Sequence, residues 1–146
     1  TKAQIRSDNA FANIARGGYV LVKESGTLQS IIIATGSEVG IAVSAARHLA
    51  EEGVGVRVVS MPSTDVFLAQ TADYRDAVLP PAVRARVAVE AAHPDYWYRF
   101  VGLDGAVIGI DRYGMSAPGP VAMAALGITE AAILDAVRAL LAREPA

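Results

Sequence analysis

No cysteine occurs among the 146 residues, which excludes disulfide staples and thiolate metal sites. An excess of either charge is also missing. Thirteen basic residues against 15 acidic ones leave a formal net charge of −2, too little to draw the chain to nucleic acid or to an anionic membrane. No apolar run approaches the ~20 residues of a membrane helix, and no basic-plus-apolar leader opens the chain. Internal repeats and low-complexity tracts are absent. So are the G-x-S-x-G elbow of a nucleophilic serine and the glycine-rich signatures of dinucleotide and P-loop sites. No acidic pair has metal-ligand spacing, and no aspartate–asparagine run forms a calcium loop. The lack of cysteine fits a cytoplasmic protein. The chain starts at Thr1 instead of Met, which points to an excised or processed piece of something longer.

What is present is apolar. Hydrophobic residues make up 53% of the sequence, well outside a disordered composition. A chain of this length makes one domain and buries roughly two-thirds of its surface. The clearest organisation runs from Ser30 to Asp65. Ser30–Ala34 is a short β-branched run suited to a strand buried on both faces. Thr35-Gly36-Ser37-Glu38 then fits a capping box, with Thr35 and Glu38 satisfying each other's amides. Val39, Ala42, Val43, Ala46, Leu49 and Ala50 recur at helical spacing, Arg47, His48, Glu51 and Glu52 form the wet side, and Gly53 stands at a left-handed helix stop. Gly55–Met61 is a second strand ended by Pro62. The unit is βαβ, with a right-handed crossover between parallel strands.

On either side of this unit the elements are shorter. Residues 1–18 are mixed and polar and read as an inter-domain linker ending at Gly17-Gly18; residues 19–146 form the domain. Tyr19–Val22 is a strand expected to pair with Ser30–Ala34 as a hairpin. Short helices are expected at Val66–Gln70, behind a Ser63-Thr64-Asp65 cap, and at Asp73–Leu79. Arg86–Ala91 and Ala106–Ile110 complete the strands, and Tyr96–Val101 is a compact aromatic helix. Arg112–Pro120 reads as a loop leading into a short helix, Val121–Leu126. Thr129 caps a last helix with a stripe of Ile133, Val137, Leu140 and Leu141. The fold class is α/β: a three-layer α/β/α sandwich around a five-strand mixed, mostly parallel sheet with one antiparallel edge strand.

Candidate sites are sparse. The Thr35-Gly36-Ser37 turn joins a strand's carboxyl end to a helix's amino end, where free amides favour an anion; a plain helix cap explains the same residues. His48 lies on the wet side of its helix. His93 follows a strand's carboxyl end, the usual ligand side of open α/β sheets, but Glu90, three residues earlier, falls on the opposite strand face. Glu38, Asp65 and Asp111 suit caps and loops. Tyr96, Trp97, Tyr98 and Phe100 are divided between core filling and a domain or dimer interface; with only Arg99 among them they make a poor nucleic-acid platform.

Several stretches, taken in order, resemble one family. They are ANIARGGYVL (Ala12–Leu21), IATGSEV, GVRVVSMPSTDVF, YRDAVLP (Tyr74–Pro80), RVAVEA (Arg86–Ala91), DYWYRFVGLDG (Asp95–Gly105) and SAP (Ser116–Pro118). Together they are similar to the carboxy-terminal third domain of transketolases. The resemblance implies a homodimeric parent that moves a two-carbon ketol unit between sugar phosphates in the pentose phosphate pathway, using thiamine diphosphate and a divalent cation such as magnesium or calcium. In that family the cofactor, metal and substrate residues belong to the first two domains. The resemblance therefore assigns no catalytic, cofactor-binding or metal residue to this chain, and implies that it is inactive alone. Its implied roles are packing on the other two domains, dimer stability and possible regulation at Thr35–Ser37. Other thiamine-diphosphate enzymes with similar third domains, such as dihydroxyacetone synthase and deoxyxylulose-phosphate synthase, rank behind it, as does a stand-alone anion-binding module.

Overall fold

The computed structural model describes residues 13–90, 94–109 and 128–143. Five strands form one sheet: β1 (Tyr19–Val22), β2 (Ser30–Ala34), β3 (Val56–Ser60), β4 (Arg86–Glu90) and β5 (Ala106–Gly109), in the order β1-β3-β2-β4-β5. The helices are α1 (Val39–Glu51), α2 (Thr64–Leu68), α3 (Ala72–Val78), α4 (Tyr98–Val101) and α5 (Glu130–Arg143). Strand β2 lies in the middle, parallel to β3 on one side and to β4 on the other, and β4 continues parallel to β5. The expected three-layer, mostly parallel α/β architecture is what forms. The loop and short helix expected between residues 112 and 126 lie outside the described residues.

The alternation along β2 sorts the two cores. Ile32 and Ala34 face α1 and α5, packing with Ala42, Leu49, Ile133 and Val137. Ile31 and Ile33 face the other way, against Phe67, Val78, Trp97 and Phe100 from α2, α3 and the aromatic segment. The buried stripe of α1 is Ala42, Ala45, Ala46 and Leu49. Ala50, expected inside, is exposed and Ala45 takes its place, because the stripe is narrower than the expected one and its phase is set by contact with α5. Gly53 ends α1 with φ of 82°. The expected cap of α5 forms, with Thr129 Oγ1 accepting from the Ala132 amide at 3.1 Å. Ser63 Oγ likewise accepts from the Val66 amide at 3.4 Å at the start of α2.

One pairing differs from expectation. Strand β1 does not form a hairpin with β2; it pairs antiparallel with the outer edge of β3, Tyr19 opposite Ser60 and Val20 opposite Val59. Both edges of β2 are already taken by parallel neighbours, so the antiparallel strand has to join the free edge of β3. The connection between β1 and β2 must then pass the start of β3. It does so at Gly55, whose carbonyl accepts from the Gln29 amide at 2.8 Å and whose amide donates to Gln29 Oε1 at 2.9 Å. A Cβ on Gly55 would collide with the Thr27 carbonyl.

The same connection supplies Glu24, which forks with Arg57 of β3 (Nε to Oε1 2.9 Å, Nη2 to Oε2 3.1 Å). Both side chains are only 11% exposed. Arg57 Nη1 also donates to the Ala77 and Val78 carbonyls at 2.9 and 3.0 Å. On the far side of β2, Arg86 donates to the next two carbonyls, Leu79 at 3.1 Å and Pro80 at 2.9 Å, and to Phe100 at 2.8 Å and Val83 at 2.9 Å. Ile31 pairs with Arg57 on one side and Arg86 on the other. The two guanidinium groups thus flank one isoleucine and together satisfy the carbonyl end of α3, where cations are favoured.

Gly55→Ala is expected to lose about 1–3 kcal/mol of stability through overpacking against a backbone carbonyl, measured by urea unfolding; an unchanged midpoint would refute the close-approach role. The Arg57 fork lowers the Glu24 carboxyl from its ordinary value. A lowered carboxyl contributes stability above its unfolded-state pKa, and that contribution is lost as pH falls through the folded-state value. Stability should therefore fall on acidification through the carboxylate range, and Glu24→Gln should flatten that part of the profile.

Candidate functional site

The carboxyl ends of the parallel strands open into a cleft of about 420 Å³. Thr35 reaches it from the end of β2, Met61 to Asp65 from the end of β3, Glu90 from β4, and Tyr96 and Trp97 from the aromatic turn. Thr64 Oγ1 and the Tyr96 hydroxyl lie 2.5 Å apart, tying α2 to that turn. Among the described residues, the lining brings two carboxylates, Asp65 and Glu90, to the cleft and no lysine or arginine. His93 lies outside the described residues. His48 is on the surface, 3.2 Å from Glu130 Oε1, and Glu130 also accepts from Ser44 Oγ at 3.0 Å.

The turn at Thr35-Gly36-Ser37 is built differently from the expected capping box. Thr35 makes no side-chain cap bond; a three-residue 3-10 turn, Gly36–Glu38, comes first. The tighter turn sends the Glu38 amide to the Thr35 carbonyl at 3.2 Å, which takes from the Thr35 side chain the donor it needs for the cap bond. The Glu38 carboxylate instead turns inward and is nearly inaccessible, accepting from Ser37 Oγ at 3.3 Å. A carboxylate at the amino end of α1 is itself a favourable partner for the helix dipole. The Glu38 side chain thus lies at the same turn as Gly36, whose φ is 58°.

The aromatic segment divides by burial. Trp97 and Phe100 sit in the core, 5% and 4% exposed, with ring centroids 5.5 Å apart. Tyr96 and Tyr98 are 39% and 48% exposed, and the Arg99 guanidinium lies 5.1 Å from the Tyr96 ring centre. The sequence did not single out a cationic part of the surface, where Arg75, Arg84, Arg86 and Arg99 border one groove. Its only sequence signal is Arg84-Ala85-Arg86, where alternate residues entering a strand share a face. Among the described residues no three His, Cys, Asp or Glu side chains converge to hold a metal ion.

Comparison with known proteins follows the fold. The family model described as the Transketolase-like TK C-terminal domain matches residues 17–129. The chain belongs to the transketolase family. It is 56% identical over 126 residues to Transketolase 1 of Escherichia coli, covering 86% of this chain and 19% of that protein. It is 50% identical over 139 residues to Transketolase 2 of Vibrio parahaemolyticus, covering 95% and 21%. Among solved structures, the transketolase of Leishmania mexicana superposes with a TM-score of 0.82 at 39% identity, covering 92% of this chain and 19% of that one. The chain thus spans about a fifth of the length of these transketolases.

With the transketolase turn filled by Glu38, inorganic phosphate is expected to leave the Gly36 and Ser37 amide resonances unmoved. Saturable shifts at those two amides, abolished in high salt, would restore the turn as an anion site.

Proposed function

We propose that this chain is the assembly domain of a transketolase, an enzyme that transfers a two-carbon ketol unit between sugar phosphates with thiamine diphosphate and a divalent cation. The observation that carries this reading is the match of the transketolase carboxy-terminal family model to residues 17–129. The 56% identity to a named transketolase supports it. The cofactor supplies the electron sink in such chemistry, while protein groups bind and orient. The proposed contribution of this domain is structural: it packs on the remaining domains and adds to the stability of a cytoplasmic homodimer.

Within that reading, Tyr96 and Tyr98 are the residues proposed to meet another domain or subunit. Exposed tyrosines with an apolar ring and a polar tip suit interfaces, and Trp97 and Phe100 hold them in place from the core. Regulation at Thr35–Ser37 is a further part of the reading, in which the buried Glu38 side chain at the same turn competes with a small anion.

The test is activity and binding together. The purified, folded chain is expected to show no ketol transfer between a ketose phosphate and an aldose phosphate, and no heat on titration with thiamine diphosphate and magnesium. Ketol transfer by the chain alone would sink the assembly reading; saturable cofactor binding would show that the cofactor site extends into this domain.

A further inference from the structure

The arginine-bordered groove lies at the other end of the sheet from the strand-end cleft, near the amino ends of β4 and β5. Its volume is about 420 Å³. Among the described residues four arginines and two aspartates border it, leaving two positive charges in excess. The arginines are not equivalent. Arg86 donates to four backbone carbonyls, so it contributes charge while its donors are largely committed. Arg84 forms an ion pair with Asp104. Arg75, which borders the groove, donates through Nε to the Gln70 carbonyl at 3.2 Å, and its two terminal amino groups make no hydrogen bond among the described residues. Arg99 makes no ion pair among the described residues and rests against the Tyr96 ring. Two guanidinium forks are thus held by other contacts and still have donors to spare.

The rest of the lining is apolar. Phe67, Leu79, Phe100 and Val101 form a buried floor, with the more exposed Leu68 beside them. A bare inorganic ion gains nothing from such a floor. An organic molecule with one doubly charged group gains from both parts: bidentate guanidinium contacts to oxygen and burial of carbon against the floor.

We infer that this groove is a binding site for an organic phosphate monoester, with Arg75 and Arg99 gripping the phosphate and the carbon portion lying on the Phe67–Phe100 floor. It requires no ketol-transfer chemistry and stands apart from the proposed assembly role. The balance of charge is what selects the class. The excess of two positive charges matches a phosphate dianion, whereas the aspartates at the margin disfavour a long polyanion such as nucleic acid.

The experiment titrates four probes into the folded chain, followed by amide and arginine Nε–H resonances: a pentose 5-phosphate, the unphosphorylated pentose, inorganic phosphate and a polyglutamate peptide. The pentose phosphate should give saturable shifts around residues 75, 99 and 101, inorganic phosphate weaker ones at the same residues, and the neutral sugar none. Arg99→Gln, at an exposed position, should weaken the pentose phosphate about tenfold, the size of one lost charge-assisted bond. Arg75→Gln should do the same, with circular dichroism confirming the fold in each variant, and Arg47→Gln on α1 should have no effect. The proposal is overturned if the pentose phosphate gives no saturable shift, if both groove variants bind it unchanged, or if polyglutamate alone binds, which would make the groove a protein-docking surface.

Discussion

Strand β2 is inaccessible to solvent along its whole length, and most of the domain follows from that constraint. A strand buried on both faces and paired at both edges leaves its neighbours no freedom in position. One face is covered by two helices of 13 and 14 residues, α1 and α5, long enough to seal it with aliphatic side chains alone. The other face is covered by short pieces, α2 to α4 of four to seven residues. Helices that short leave many backbone carbonyls without internal partners. Arginine supplies the missing donors, and Arg57 and Arg86 stand beside the same isoleucine because the strand register puts them there.

That asymmetry also decides where the surface becomes interesting. The sealed face presents a conventional polar exterior with His48, Glu130, Glu52 and Arg138 in exposed pairs. Exposed pairs of this kind contribute little stability. The patched face concentrates guanidinium groups, and once their structural duties are met some donors remain. At the opposite end of the sheet two carboxylates, Asp65 and Glu90, line the cleft among the described residues.

Much of this was legible in the sequence, and the misses have physical reasons. The β2–α1–β3 unit could be read because its periodicities change from strand to helix to strand within one stretch and Gly53 marks the stop. The parallel sheet followed from it. The hairpin was misjudged because nearness in sequence favours pairing β1 with β2, whereas the competition for β2's edges is settled by β3 and β4, which come later in the chain. The capping box had the right residues, but a 3-10 turn reassigned the Glu38 amide to a carbonyl. The arginine groove had no motif to find. Its members are spread from position 75 to position 99 and meet only through strand register and the folding back of α3 and α4.

The division of α3's last carbonyls has one more consequence. Ala77 and Val78 answer to a residue on β3, Leu79 and Pro80 to a residue on β4. A seven-residue helix with so little internal bonding would ordinarily fray by itself, at low cost, and its amides would exchange with solvent early. Here its terminus can release only when two central strands give up their arginines as well. The longest of the patched layer's three short helices is thereby enrolled in the same cooperative unit as the middle of the sheet.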